Sequence, residues 1–330
     1  MKIARVTVFG GSGFLGRYIV QRLASQGKIV RVAVRNTEAA RFLQPMGDVG
    51  QIVPIKADLR DANSLARALE GVDAAVNAVS LYVERGKTKF ADIHEVGVQN
   101  LARAAAAGGI KRLVHISGIG ADKGAASRYA QSRYMGDRLI REAFGEVTIL
   151  KPSIVFGTED AFFNALASLA RLSPVLPLFG LRRIDKPPFI DGGFTRFQPV
   201  YVGDVAGAVA AALTREDARG RTYELGGPAV YSYRELSEFM LRETGRRCLL
   251  VPWPFWAASV NAWFLKMLPN PPLTPDQVTL LKRDNVVASK ALGLADLGVT
   301  PSALEVIAPA YLARYRRGGR AGSTRLARNG

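Results

Sequence analysis

The segment Gly10-Gly11-Ser12-Gly13-Phe14-Leu15-Gly16 has the composition and spacing to hold a diphosphate. It follows the apolar run IARVTVF (residues 3–9), which reads as a buried strand, and precedes a helix over 14–26 that Gly27 stops. A pyrophosphate needs backbone N–H groups aimed at it and the positive end of a helix dipole close by. Glycines remove the side chains that would block that approach. The backbone of Gly10, Ser12, Gly13, Phe14, Leu15 and Gly16 is the expected cradle, with Gly16 letting the helix pack close to the sheet. The spacing is GxxGxxG rather than GxGxxG, so the strand-to-helix context carries as much of the reading as the glycines do.

Two further positions bear on which dinucleotide is bound. The second strand, IVRVAV (29–34), ends in Arg35-Asn36, where NAD-binding sheets usually place an acid for the ribose hydroxyls. Arginine there suits a 2′-phosphate, so NADP(H) is expected and NAD(H) is the less favoured alternative, with Glu38 the reason to keep it. Asp58, after the third strand, can accept a hydrogen bond from an adenine amino group or cap the next helix, although Asp61 is better placed for capping.

These groups need a sheet to position them. Further strands are expected at 51–55, 73–79, 111–116 and 147–151, with helices over 61–70, 89–107 and 127–143. Near-continuous apolar strands alternating with helices predict an α/β fold: a doubly wound parallel sheet with its ligand crevice at the carboxyl ends of the strands. After Pro152 prolines cluster in 174–188 and 252–275, and shorter elements follow near 204–213, 222–225 and 232–243. The expected division is a dinucleotide-binding core over 1–155, a smaller mixed carboxyl-terminal lobe over 156–313 with elements returning to the sheet, and a basic, disordered tail over 314–330.

A 330-residue chain that is 48% hydrophobic can bury such a core. One cysteine, Cys248, excludes an intramolecular disulfide, and two histidines, His94 and His115, are too few for a conventional zinc site, so no metal is expected. His115 lies in the apolar run RLVHIS and His94 in DIHEVGVQN, and both read as structural residues. The amino terminus lacks the marks of a secretory signal and no apolar run is long enough to span a bilayer, which points to a reducing, cytoplasmic setting. The net charge of +17 is not gathered into an interleaved basic and aromatic motif, so no nucleic-acid partner is expected. Beyond Glu305 there are six arginines and no acid, an end that either meets anionic lipid or an acidic partner or is simply solvated.

Longer runs carry a family resemblance. GGSGFLG, the KADL segment and Tyr129-Ala-Gln-Ser-Arg133 together resemble the extended and atypical short-chain dehydrogenases/reductases. The runs KPSIVFGTEDAFFN (151–164), QPVYVGDVA (198–206), PNPPLTPDQVTLLKRDNVV (269–287) and LADLGVTPSALEVIAPAYLARYRRGG (294–319) resemble one atypical branch. That branch is the Rossmann-fold accessory subunit of respiratory complex I with its bacterial homologues. The resemblance implies a tightly held NADP(H) and a structural or assembly role among complex I subunits. It carries cofactor contact to Gly10, Gly13, Phe14, Gly16, Arg35, Asp58, Leu59, Ala78 and, at the nicotinamide end, Ile154.

In active members of that superfamily a tyrosine exchanges the substrate proton, and a lysine four residues later lowers its pKa and holds the nicotinamide ribose. Tyr129 stands in the tyrosine's place and Arg133 in the lysine's. Arginine keeps the charge and can still bind ribose hydroxyls, but it cannot release a proton near neutral pH. Ser117 is the candidate third member, although Gly118 falls at the catalytic position by alignment. The expectation is an eroded site in which Tyr129 and Arg133 grip the nucleotide. The rival is an NADPH-dependent reductase or epimerase acting on a quinone-like or isoprenoid substrate. Trp253, Trp256, Val260, Trp263, Phe264 and Met267 approximate one helical stripe, read either as core or, with the arginine tail, as a contact with an anionic membrane at its inner face.

Overall fold

A computed structural model describes residues 3–319 apart from 184–189, 269–270 and 272. The chain divides into two compact units: Met1–Pro152 with Val202–Leu225 and Val287–Pro301, and Ser153–Tyr201 with Gly226–Val286 and Ser302–Gly330.

The first unit is built on strands β1 (Arg5–Phe9), β2 (Ile29–Val34), β3 (Ile52–Lys56), β4 (Ala74–Asn77), β5 (Arg112–Ile116), β6 (Thr148–Pro152) and β7 (Thr222–Leu225). They form one seven-stranded sheet in the order β7-β6-β5-β4-β1-β2-β3, with every pairing parallel. The order reverses at β1, which pairs with β2 on one side and β4 on the other. A loop leaving β1 therefore enters the crevice where such sheets bind ligands. The sheet is the α/β, doubly wound Rossmann arrangement that the strand and helix alternation predicts.

Helices α1 (Phe14–Ser25), α2 (Ala62–Leu69), α3 (Val98–Ala107), α4 (Arg128–Ala143) and α5 (Val202–Thr214) belong to the same unit. The buried stripe of α1 is Gly16, Ile19, Val20, Leu23 and Ala24, the i, i+3, i+4, i+7, i+8 pattern of a helix covering a sheet. Burying each of its large apolar side chains contributes about 1.5–3 kcal/mol. Gly27, at φ +73°, follows the helix in the left-handed region that favours glycine. Asp61 caps α2, its carboxylate accepting from Asn63 and Ser64 N–H, and Ser127 caps α4. The helix expected over 89–107 is not uniform. Asp92–Gly97 winds as a π-helix before α3 begins, and this stretch carries His94.

The second unit has its own apolar core, centred on Phe156, Phe163, Leu178, Leu236, Met240 and Leu312. Tyr311 in the helix Leu304–Leu312 donates to the buried Asp160 carboxylate at 2.7 Å. Ile154 packs against this core and belongs to this unit. The tryptophan stripe divides: Trp253 ends the strand Leu249–Trp253, half-buried, while the helix begins at Phe255 and runs to Leu265. Proline at position 254 removes the N–H a preceding turn would need and marks the break. The start of the basic tail is held in place, with Arg314 donating to the Thr158 carbonyl and Arg316 to the Glu243 carbonyl, both at 2.7 Å. Arg320, Arg325 and Arg328 lie outside the described residues.

Candidate functional site

The glycine loop leaves β1 directly above the reversal of strand order. Gly10 takes φ +77°, and a side chain there would press on the Ala78 carbonyl group at 3.0 Å. Ala78 N–H in turn donates to the Phe9 carbonyl, which fixes the end of β4 beside the loop. A Cβ on Gly16 would stand 2.1 Å from the Gly10 oxygen, and one on Gly11 would stand 2.8 Å from a Val32 methyl. Gly11 was not among the expected positions; its role is to let the loop lie flat on β2. Gly13 is the exposed N-cap residue of α1, whose first turn has neither a side-chain cap nor an acidic residue. Those orphan N–H groups, with the helix dipole behind them, are left for an anion. Ser12, Phe14 and Leu15 line the same turn, half-buried. The residues present fit a dinucleotide pyrophosphate.

Around the β2 and β3 ends, basic side chains collect. Arg35 is exposed just past β2. Asp58, just past β3, is held by Arg60 at 2.7 Å, and that bond together with the nearby Arg35 charge holds its carboxyl below the ordinary value. Arg17 on α1 reaches back to the Ser12 and Gly13 carbonyls and lies over the Phe42 ring at 5.0 Å, a third cation that the sequence reading missed. Leu59 is buried, its carbonyl accepting from Asn100, and a Cβ on Gly97 would press on it at 2.9 Å.

Across the β4, β5 and β6 ends, α4 brings Tyr129, Arg133 and Asp137 onto one face by their four-residue spacing. Tyr129 is half-buried in an aromatic group, stacked on Tyr82 at 5.5 Å and edge-on to Phe90 and His94. His94 Nε2 accepts the Leu81 N–H, so the neutral ring carries its proton on Nδ1, toward Ser132 Oγ at 2.9 Å. Burial, reinforced by the Arg133 charge, pushes the His94 pKa down to about 2. Glycine at 136 is what lets α4 approach: a Cβ there would meet the His94 carbonyl oxygen at 2.0 Å.

Arg133 turns inward. It is 3% exposed, one guanidinium nitrogen donates to the Ile116 carbonyl at the end of β5, and its Nε and Nη1 have no hydrogen-bond partner among the described residues. Ser117, one residue further, is buried with its Oγ likewise without a partner. Behind them runs a polar row. Asn77 Nδ2 donates to His115 Nδ1 at 3.1 Å, leaving His115 Nε2 facing Asp137 Oδ1 at 3.5 Å, while Lys151 Nζ sits 2.9 Å from Asp137 Oδ2. Lys151 also donates to the Ala121 carbonyl. Burial lowers the pKa of His115. Strand pairing sets Asn77 opposite His115 and His115 opposite Ile149, so the row follows the sheet. Asn77, Asp137 and Lys151 were not read from the sequence; a polar residue in the apolar run 73–79 and an acid four residues after Arg133 were the available signals.

Among the described residues no group of three potential metal ligands occurs, and no helix is long and apolar enough to cross a membrane. Trp256, Trp263, Phe264 and Met267 are all more than half exposed.

Residues 10–161 match the NAD(P)H-binding family. The chain is 36% identical over 326 residues, 95% of its length and 78% of the relative's, to an Arabidopsis thaliana protein named NADH dehydrogenase [ubiquinone] 1 alpha subcomplex subunit 9, mitochondrial. It is 31% identical over 316 residues to the mouse protein of the same name, covering 94% of the chain and 80% of the relative. Among solved structures it is similar to an NADPH-dependent quinone oxidoreductase from Escherichia coli complexed with NADPH, with TM-score 0.69, 21% identity, and coverage of 93% and 99% of the two chains.

Proposed function

Since the chain belongs to the family of the complex I alpha subcomplex subunit 9 proteins, we propose that it is an NAD(P)H-binding accessory or assembly protein of respiratory complex I with a structurally held cofactor. The pyrophosphate lies on the α1 N-terminus and the Gly10–Gly16 backbone, and Arg35 with Asp58 takes the adenosine end. NADP(H) is favoured there because two cations, Arg35 and Arg60, act on the one carboxylate, Asp58, and a third, Arg17, lies on the glycine loop. When bound, the dinucleotide supplies a hydride donor or acceptor. This chain's residues bind and orient it.

The observation that carries the non-catalytic reading is Arg133. Where a relay lysine would face ribose and tyrosine, a permanently charged guanidinium is buried and donates to a strand carbonyl. Tyr129, Arg133 and Ser117 are a vestigial triad.

The test is purification of the native protein, analysis of its bound nucleotide, and co-purification with other complex I subunits. Retained NADP(H) and co-purifying subunits are expected. Robust NADPH oxidation with a quinone or isoprenoid acceptor, abolished by Tyr129→Phe, would establish the reductase reading instead.

The exposed face of the helix Phe255–Leu265 supports a second contact. Trp256, Val260, Trp263 and Phe264 face solvent, the helix contains no acid, and Lys266 and Lys282 lie over Trp263 and Phe255. Tryptophan beside lysine suits an anionic bilayer surface, and this face is read as a peripheral contact with the cytoplasmic side of a bacterial membrane, aided by the arginine tail. Vesicle flotation with phosphatidylglycerol should depend on Trp256 and Trp263 and weaken without residues 317–330.

A further inference from the structure

The row behind Tyr129 has an unbalanced charge. Arg133 is 3% exposed, Asp137 6% and His115 1%, and the Lys151 side chain is 17% exposed. Lys151 and Asp137 form an ion pair at 2.9 Å and cancel. His115 is held as a neutral ring, its Nδ1 accepting from Asn77. The charged groups that act on His115 are Asp137, Arg133 and Lys151. One positive charge, Arg133, remains without an acid of its own among the described residues.

The topology places this charge. The loop after β1 takes the pyrophosphate at the reversal of strand order, and Arg35 and Asp58 at the ends of β2 and β3 mark the adenosine half. The other half of a dinucleotide must then extend over the ends of β4, β5 and β6, where Ile116 accepts from Arg133. Adjacent strands are about 4.8 Å apart, so a ring over β4 or β5 lies within about 10 Å of the guanidinium. An oxidised nicotinamide ring carries a positive charge and a reduced ring carries none.

We propose that the buried, uncompensated Arg133 makes the protein discriminate between redox states, holding the reduced dinucleotide more tightly than the oxidised one. This rests on the reading that a nicotinamide dinucleotide is bound. A unit charge at that distance in partly buried surroundings changes affinity by about tenfold. Each tenfold raises the potential of the bound couple by about 30 mV. An accessory protein with this property would report the reduced fraction of the nucleotide pool without turning it over.

The experiment measures dissociation constants of the full chain for NADPH and NADP⁺ by calorimetry at 0.1 M and 0.5 M NaCl. The reduced form carries one more net negative charge, so the protein's overall +17 would favour it too, but added salt screens that long-range effect. Binding of NADPH about tenfold tighter, at both salt concentrations, is expected. In Arg133→Met the ratio should fall toward one, while affinity for adenosine 2′,5′-bisphosphate, which lacks both the nicotinamide and its ribose, stays unchanged. Lys151→Met, which leaves Arg133 and Asp137 to balance, should act in the same direction and serves if the first variant does not fold. Equal wild-type affinities, a ratio that disappears with salt, or a ratio retained in the folded variants would each overturn the inference. Failure to bind either nucleotide would instead overturn the nucleotide-binding reading beneath it.

Discussion

A Cβ placed on Gly16 would stand 2.1 Å from the carbonyl oxygen of Gly10, inside any tolerable carbon–oxygen contact. The obstacle is backbone on both sides, the loop and the first turn of α1, so no side-chain rotation relieves it. Gly16→Ala should therefore lift α1 from the loop, destabilise the protein by at least about 2 kcal/mol and abolish nucleotide retention. Urea unfolding and release of bound nucleotide on denaturation measure both effects. Wild-type stability together with full nucleotide content would remove the close approach from the account.

Arg35 is the residue on which the choice of nucleotide turns. A charge-assisted bond to a 2′-phosphate contributes about 1.5–3 kcal/mol, so Arg35→Ala should weaken NADPH binding by roughly tenfold to a hundredfold. NADH binding, which has no such phosphate, should change little. Equal losses for both nucleotides would mean that Arg35 acts only through the general field.

The buried histidines predict a dependence of stability on pH. The folded-state pKa of His94 is depressed to about 2 by burial, against an ordinary value near 6.5, and burial lowers that of His115 as well. The unfolded chain therefore binds more protons below pH 6.5. The stabilisation is fully present above that pH and is lost as pH falls. For His94 alone, going from pH 6.5 to pH 5 should cost about 2 kcal/mol. Urea midpoints at pH 7.5, 6.5 and 5 check this; a flat profile would mean that these rings are solvated.

In the second unit, the Tyr311 hydroxyl shares Asp160 with the N–H groups of Gly157 and Phe163. Tyr311→Phe leaves a buried carboxylate short of one donor and should destabilise by about 1–3 kcal/mol without altering nucleotide affinity. A coupled loss of affinity would show that the helix carrying Tyr311 contributes to the nucleotide site.

Much of the first unit was readable because its signals are local. Strand 3–9, the glycine run, Gly27 and the Asp61 cap each fix a turn or an element within a few residues, and parallel order follows once strands and helices alternate. The π-helical turn at Asp92–Gly97 had no local signature, and the close approach of Gly136 to its His94 carbonyl comes from another helix. The tryptophan stripe was misread as one helix for a similar reason. Trp253 pairs as a strand with Phe179, a partner 74 positions earlier in the chain.

By itself the sequence determined that a glycine-rich turn follows the first strand, that an arginine ends the second, and that Tyr129 and Arg133 share a helical face. Those facts follow from residue type and short-range spacing. Only the tertiary structure decided where Arg133 points and what it faces, because the Ile116 carbonyl, His115, Asp137 and Lys151 come from β5, α4 and β6 and meet only after the sheet has assembled. The charge of a side chain is written in the chain, but the neighbours that balance it, or leave it unbalanced, are set by packing between distant segments.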